Sequence, residues 1–114
     1  MFRGSRVGAT SGGGGGGGSA TVKTITSIES PYDLPVDVGV LIVDTSTGVV
    51  NVNMPNAASS KGRTYYIKSS TNASVNRVRV LVSSGVIDNE TFVDINNDFA
   101  AVLLVSDGVN YFIL

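Results

Sequence analysis

The clearest hydrophobic pattern in the chain lies between Val38 and Asn53. Four consecutive apolar residues, 40–43, precede a turn-rich segment, and then Val50 and Val52 alternate with two asparagines. A run that is apolar on both faces indicates a strand covered on both sides, whereas alternation indicates a strand with one face in water. We therefore expect a β-hairpin here, packed against a second layer.

The remaining pattern from residue 21 onward predicts further short strands divided by turns, and no helical periodicity is evident. The predicted strands cover residues 22–28, 40–43, 49–53, 63–69, 77–82, 91–95, 100–106 and 109–114. The last two form a hairpin, because the Asp107-Gly108 pair favours a type I′ turn. The sequence therefore predicts an all-β domain over residues 21–114, a small antiparallel sandwich or barrel.

A segment of different composition precedes this domain. Residues 1–20 carry two arginines and no acid, and residues 12–18 are all glycine. Ordering each backbone unit costs about 1–2 kcal/mol, and glycine loses the most freedom. The segment is either a flexible linker or an extended arm held by a partner, and we expect the arm. The residues expected to bind the partner are Met1, Phe2, Arg3, Arg6, Gly12, Gly15 and Gly18.

The last four residues are unusually apolar. Tyr111, Phe112, Ile113 and Leu114 would each gain about 1.5–3 kcal/mol by burial. They form either a strand at the centre of the domain's own sheet or a strand packed against other subunits along a symmetry axis. In the second case these four residues are the subunit interface of a homotrimer.

Charge is segregated along the chain. Residues 45–87 contain five basic residues and no acid, and residues 88–114 contain five acids and no base. The basic residues are Lys61, Arg63, Lys68, Arg77 and Arg79. They either pair with the acidic stretch or form a basic face for an acidic partner. The sequence pI of about 5.1 and the lack of interleaved aromatic residues argue against nucleic acid.

The residue inventory favours no catalytic chemistry. Cysteine and histidine are both absent, so there is no thiolate nucleophile, disulfide or Cys-type metal site. The oxygen-rich residues 94–98 lack the spacing of a calcium loop and are expected to form a turn. No run approaches the roughly 18 apolar residues of a membrane span. We expect no enzyme activity, no cofactor and no membrane partner.

Four stretches of the sequence carry a family resemblance. They are VLIVDTSTGVVNVNMP, AASSKGRTYYIK, VRVLVSSGVIDNET and AAVLLVSDGVNYFIL. Together they resemble the small β-domains of tailed-bacteriophage virion proteins, in tail fibres and in decorations of the head, over about residues 38–114. The resemblance implies a β-structure, commonly trimeric, that serves as a structural or adhesive module without enzyme activity.

Combining these observations, we expect a homotrimeric capsid decoration or cement protein on the virion surface. Residues 1–20 would bind the major capsid protein, another virion protein or a neighbouring subunit. The alternative is a tail-fibre or head-fibre module that binds host receptors or glycans. Its contact residues would be Tyr66, Asn53 and the loops around Asn72 and Asn89.

Overall fold

A computed structural model describes residues 21–114, so every predicted contact residue of the N-terminal arm lies outside the described part. Nine strands form this part of the chain, which confirms the all-β prediction. They are β1 (Thr21–Thr26), β2 (Tyr32–Asp33), β3 (Val38–Asp44), β4 (Val50–Asn53), β5 (Thr64–Ser69), β6 (Val78–Leu81), β7 (Phe92–Ile95), β8 (Ala101–Ser106) and β9 (Tyr111–Ile113). Two 3₁₀ turns, Ser27–Glu29 and Ala57–Ser60, follow β1 and β4.

The strands form two sheets. Sheet A has the order β1-β3-β5-β8-β9, and sheet B has the order β2-β4-β6-β7. The chain alternates between the sheets through its first six strands, so that β1/β2, β3/β4 and β5/β6 are three stacked coils. Strands of successive coils pair in parallel, whereas the pairs β5–β8, β6–β7 and β8–β9 are antiparallel. The predicted sandwich is therefore mixed, and the antiparallel assignment was wrong for its first half.

The predicted hairpin between Val38 and Asn53 is wrong. Its two strands exist as β3 and β4, but they lie in different sheets. The turn between them is held by the next coil, because the buried Thr45 donates from Oγ1 to the Thr71 carbonyl and accepts from Asn76 Nδ2 at 2.9 Å. The local pattern correctly predicts two strands and a turn but contains no information on which strand each one pairs with.

The C-terminal hairpin of β8 and β9 is confirmed, but its turn is not type I′. Ser106 pairs with Tyr111, which leaves the four residues 107–110 in the loop. Only Gly108 has a positive φ there, of 99°, whereas type I′ needs two such residues. The Asp107 carboxylate instead closes the loop by accepting from the backbone N–H groups of Val109 and Asn110, at 2.9 and 2.8 Å.

The core fills the space between the sheets. Every second residue of a central strand points inward, as the alternating burial of β4, β5 and β6 shows. The fully buried side chains include Leu41, Val43, Val50, Val52, Tyr65, Ile67, Val78, Val80 and Leu104. The second layer required by the doubly apolar β3 is thus sheet B.

Tyr111 belongs to this core. It is 1% exposed, packs edge-on against Tyr65 with ring centroids 6.2 Å apart, and donates its hydroxyl to the Pro55 carbonyl at 2.7 Å. The same hydroxyl lies 2.8 Å from Ser60 Oγ. Its strand, β9, is the last in sheet A and not a central strand. Tyr111 therefore fastens an edge strand to the loop that follows β4.

Tyr111→Phe is expected to lower the free energy of unfolding by about 1–3 kcal/mol, because it leaves the Pro55 carbonyl without its donor while the ring stays in place. Urea titration monitored by circular dichroism measures the change, and Tyr32→Phe, at a partly buried tyrosine, is the control. If the free energy of unfolding fell only at low protein concentration, Tyr111 would belong to a subunit contact and not to the core of the domain.

Candidate assembly surface

The outer face of sheet A is apolar along most of its width. Since Leu41 and Val43 point into the core, Val40 and Ile42 of β3 point outward. The strand register then shows which residues of the neighbouring strands also point outward, because paired residues lie on the same face of a sheet. Val22 of β1 pairs with Val40, and Tyr66 of β5 pairs with both Val40 and Leu103.

The other outward residues of the later strands are also mainly apolar. Val105 of β8 pairs with Phe112 of β9, and the Leu114 backbone N–H donates to the Leu103 carbonyl at 2.9 Å, which continues the ladder. We call the whole set the apolar face. Its members are Val22, Val40, Ile42, Tyr66, Leu103, Val105, Phe112 and Leu114.

Several of these side chains have no cover within residues 21–114. Val22 is 57% exposed, Phe112 41% and Leu114 53%. Leu103 is buried but does not belong to the core between the sheets, since its neighbours on the outer face cover it. A contiguous apolar surface of this kind on a small domain is typical of a protein contact.

The outer face of sheet B is different, because its polar side chains bind one another. Arg79 of β6 donates from Nε and a terminal nitrogen to the two carboxylate oxygens of Asp94, at 2.8 and 2.9 Å. Its guanidinium also stacks on the Phe92 ring, 3.8 Å from the centroid. Asn53 donates to Asp33 at 2.9 Å on the same face. Most polar side chains of this face are therefore paired, although Asn51 Oδ1 and Arg77 Nε have no hydrogen-bond partner among the described residues.

The five basic residues do not form one surface. Arg77 and Arg79 lie near Asp94 on sheet B, with nitrogen–oxygen distances of 3.7 and 2.8 Å, so pairing with the acidic stretch holds for these two. Lys68 lies on sheet A, where its ammonium contacts the Phe99 carbonyl and lies 5.9 Å from the Phe99 ring. Lys61 and Arg63 precede β5, and the Lys61 side chain lies beside Gly108 in the β8–β9 turn, near Asp107.

The glycan-binding residues expected for the fibre alternative are also dispersed. Tyr66 lies on the apolar face, and Asn53 lies on the opposite face of the sandwich. Asn72 follows the end of β5, while Asn89 lies in the turn beside β9, near the start of β5. The four positions therefore share no single surface.

The C-terminal residues divide between the core and the surface. Tyr111 is buried and Ile113 packs against the core, while Phe112 and Leu114 point outward. The sequence singled out these last two but missed Val22, Val40, Ile42 and Val105 as surface residues. The signal was present in the run at residues 40–43, which is apolar on both faces: one face builds the core and the other builds the surface.

The described part of the chain also bears on metal binding and membrane spanning. Within residues 21–114, no three His, Cys, Asp or Glu side chains are grouped so that they could hold a metal ion. In the same range, neither short helix has the length and apolarity needed to cross a membrane. Asp94 and Asp98, from the segment weighed as a calcium loop, bind Arg79 and the Ser74 backbone N–H respectively.

Comparison with known proteins does not assign the chain to a family. No protein-family model matches it, and no curated protein sequence is significantly similar to it. The resemblance to phage virion domains thus stays a prediction from the quoted stretches.

Stability is expected to fall in acid, and Asp94 provides the test. Hydrogen bonds from Arg79 hold the pKa of Asp94 below its ordinary value. A carboxyl group with a lowered folded-state pKa stabilises the fold above its ordinary pKa, near 4, and loses this contribution as the pH falls through the folded value. Asp94→Asn should cost about 0.5–1 kcal/mol at pH 7, and the difference from the unmodified chain should shrink towards pH 2.

Urea midpoints measured between pH 7 and pH 2 follow this difference. Glu90→Gln is the control, because it removes an exposed carboxylate that is not the partner of Arg79. If the urea midpoints of Asp94→Asn and the unmodified chain differed by the same amount from pH 7 to pH 2, the assigned ion pair would be contradicted.

Proposed function

We propose that this protein is a structural subunit of a bacteriophage virion, a capsid decoration or cement protein that stabilises the shell. In this proposal three copies associate through the apolar face, and residues 1–20 bind the major capsid protein, another virion protein or a neighbouring subunit. The mechanism is burial of surface, with no chemical step.

The observation that carries the proposal is the difference between the two outer faces of the sandwich. The sheet B face consists of an ion pair, a cation–π stack and an amide–carboxylate hydrogen bond. The apolar face exposes Val22, Phe112 and Leu114, and the charged Lys68, which pairs with Ile42, shares this side of sheet A. A domain built this way gains free energy, at about 25 cal/mol per Å² of apolar surface, when the apolar face is covered.

The stretches that carry the family resemblance support the same conclusion. They contain β3, β4, β5, β6, β8 and β9, which are six of the nine strands of the two sheets. The resemblance is therefore one of scaffold, which fits a structural role better than a catalytic one. The size of the domain adds to this, since a sheet face of a small domain is a large share of its surface.

Oligomerisation through the apolar face can be tested with a matched pair of variants. Phe112→Ser removes an exposed phenylalanine from the apolar face, and Phe92→Ser removes a similarly exposed phenylalanine, 37% against 41%, from the opposite face. Light scattering coupled to size-exclusion chromatography should show trimers for the unmodified chain and Phe92→Ser. Phe112→Ser should dissociate, since truncating an aromatic anchor of an interface costs about 2 kcal/mol or more.

Circular dichroism must show that both variants keep their β-structure. Equal masses for the two folded variants, or a monomeric unmodified chain, would contradict assembly through this face.

The particle itself provides the test of function. Immunogold labelling of this chain on purified virions should place gold over the head, and deletion of residues 1–20 should release the chain from the particle. Label confined to the tail would favour the receptor-binding alternative. Label on no particle would overturn the virion assignment.

A further inference from the structure

The two ends of sheet A differ in how their edges are protected. At the β9 edge, Tyr111 donates its backbone N–H to the Val86 carbonyl at 2.9 Å, and its carbonyl accepts from Asp88 at 3.1 Å. The Asp88 side chain also accepts from the Ile113 backbone N–H at 3.2 Å. The segment 86–88 thus occupies the hydrogen-bonding groups that an edge strand otherwise leaves free.

The β1 edge has no such cover. β1 pairs with β3 on one side, and no strand within residues 21–114 pairs with its other side. β1 is six residues long and contains one charge, Lys23, so it has few of the features that prevent an edge from accepting another strand. The β1 edge can therefore accept an extended segment by main-chain hydrogen bonding.

Exposed apolar side chains lie at the same end of the molecule. Val22 of β1 is 57% exposed, and Ile28, in the turn that connects β1 to β2, is 89% exposed. β1 and β2 form the first coil of the stack, so both residues border the unpaired edge. Ile28 does not pack on the core, which leaves a contact outside residues 21–114 as its available burial site.

The charged residues at this end of the molecule indicate which segment can bind the β1 edge. Glu29, Asp33 and Asp37 are exposed around the first coil, against a single base, Lys23. The β1 edge of a second copy would bring the same three acids close to these. By contrast, residues 1–11 contain Arg3 and Arg6 and no acid, with Phe2 and Val7 as apolar side chains.

We propose that the β1 edge binds residues 1–11 of a neighbouring copy, which add a strand to sheet A. The proposal rests on the assembly role assigned above and names the surface that receives the arm. Arg3 and Arg6 then approach the acids of the first coil, and Phe2 or Val7 covers Ile28.

The length of the arm favours a neighbour over the same chain. Twenty extended residues reach about 70 Å, whereas the longest dimension of the domain is 36 Å. A strand that folded back onto its own β1 would need only a short connection. The glycines at 12–18 instead supply length without side chains, which suits a segment that crosses from one subunit to the next.

Disulfide trapping in the full chain tests this directly, because the chain contains no cysteine of its own. One preparation carries Thr24→Cys on β1. A second, with a different affinity tag, carries cysteine in turn at Ser5, Val7 or Ala9, so that several registers are sampled. After mixing and oxidation, we expect disulfide-linked dimers containing both tags for at least one of the three positions.

The matched control is Thr91→Cys, an exposed threonine beside β7 at the opposite edge of sheet B. Linked dimers should form at least tenfold more with Thr24→Cys than with Thr91→Cys. Arg3→Glu combined with Arg6→Glu should reduce the yield by a similar factor, and Asp37→Lys in the receiving copy, next to the residue that pairs with Thr21 of β1, should restore part of it.

Equal yields at Thr24 and Thr91, or no linked dimers, would overturn the proposal. A further sample carries both cysteines in one chain and is diluted in an excess of unmodified chain. An intramolecular disulfide in this sample would show that the arm folds back, and it would overturn the assignment to a neighbour. Trapping uses purified protein, so it is independent of the particle. Trapping without gold on virions would refute the virion role alone, and gold without trapping would refute this inference alone.

Discussion

Burial of the two inner sheet faces against each other is the interaction on which the whole domain depends. The first three coils each contribute one strand to each sheet, so neither sheet can form without the other. Tyr65 and Tyr111 are the largest fully buried side chains, and their hydroxyl groups donate to the backbone carbonyls of Val36 and Pro55 respectively. Buried hydroxyl groups that are satisfied in this way fix the loops to the core as well as filling it.

The two outer faces then have different chemistry because the strands differ in composition at alternate positions. In β4 and β6 the outward positions hold Asn51, Asn53, Arg79 and one apolar residue, Leu81. In β3 they hold Val40, Ile42 and one charged residue, Asp44. The core is thus enclosed by two sheets, of which sheet B has the more polar outer face and sheet A the more apolar one. The virion role proposed for the domain follows from this asymmetry and from the resemblance of its scaffold stretches.

The sequence alone predicts the strands much better than their partners. Alternation located β4 and β6 to within one residue, because period-two burial is a local property. It could not assign β3 and β4 to different sheets, since a turn such as residues 45–49 connects hairpins and coils equally well. Likewise, β2 escaped prediction because two residues between two prolines show no periodicity. The apolar face required register, which only the structure supplies, before Val22 could be placed beside Val40.

The segment that covers β9 has a consequence for how far association can proceed. It depends on Gly85, where a Cβ would approach the Val109 carbonyl oxygen to 2.4 Å and where φ is +76°. With that edge occupied, sheet A can be extended in one direction only. Strands can therefore be added to sheet A at β1, but the sheet cannot grow through β9. The closed edge of this small domain thus prevents sheets of successive copies from joining into one continuous β-sheet.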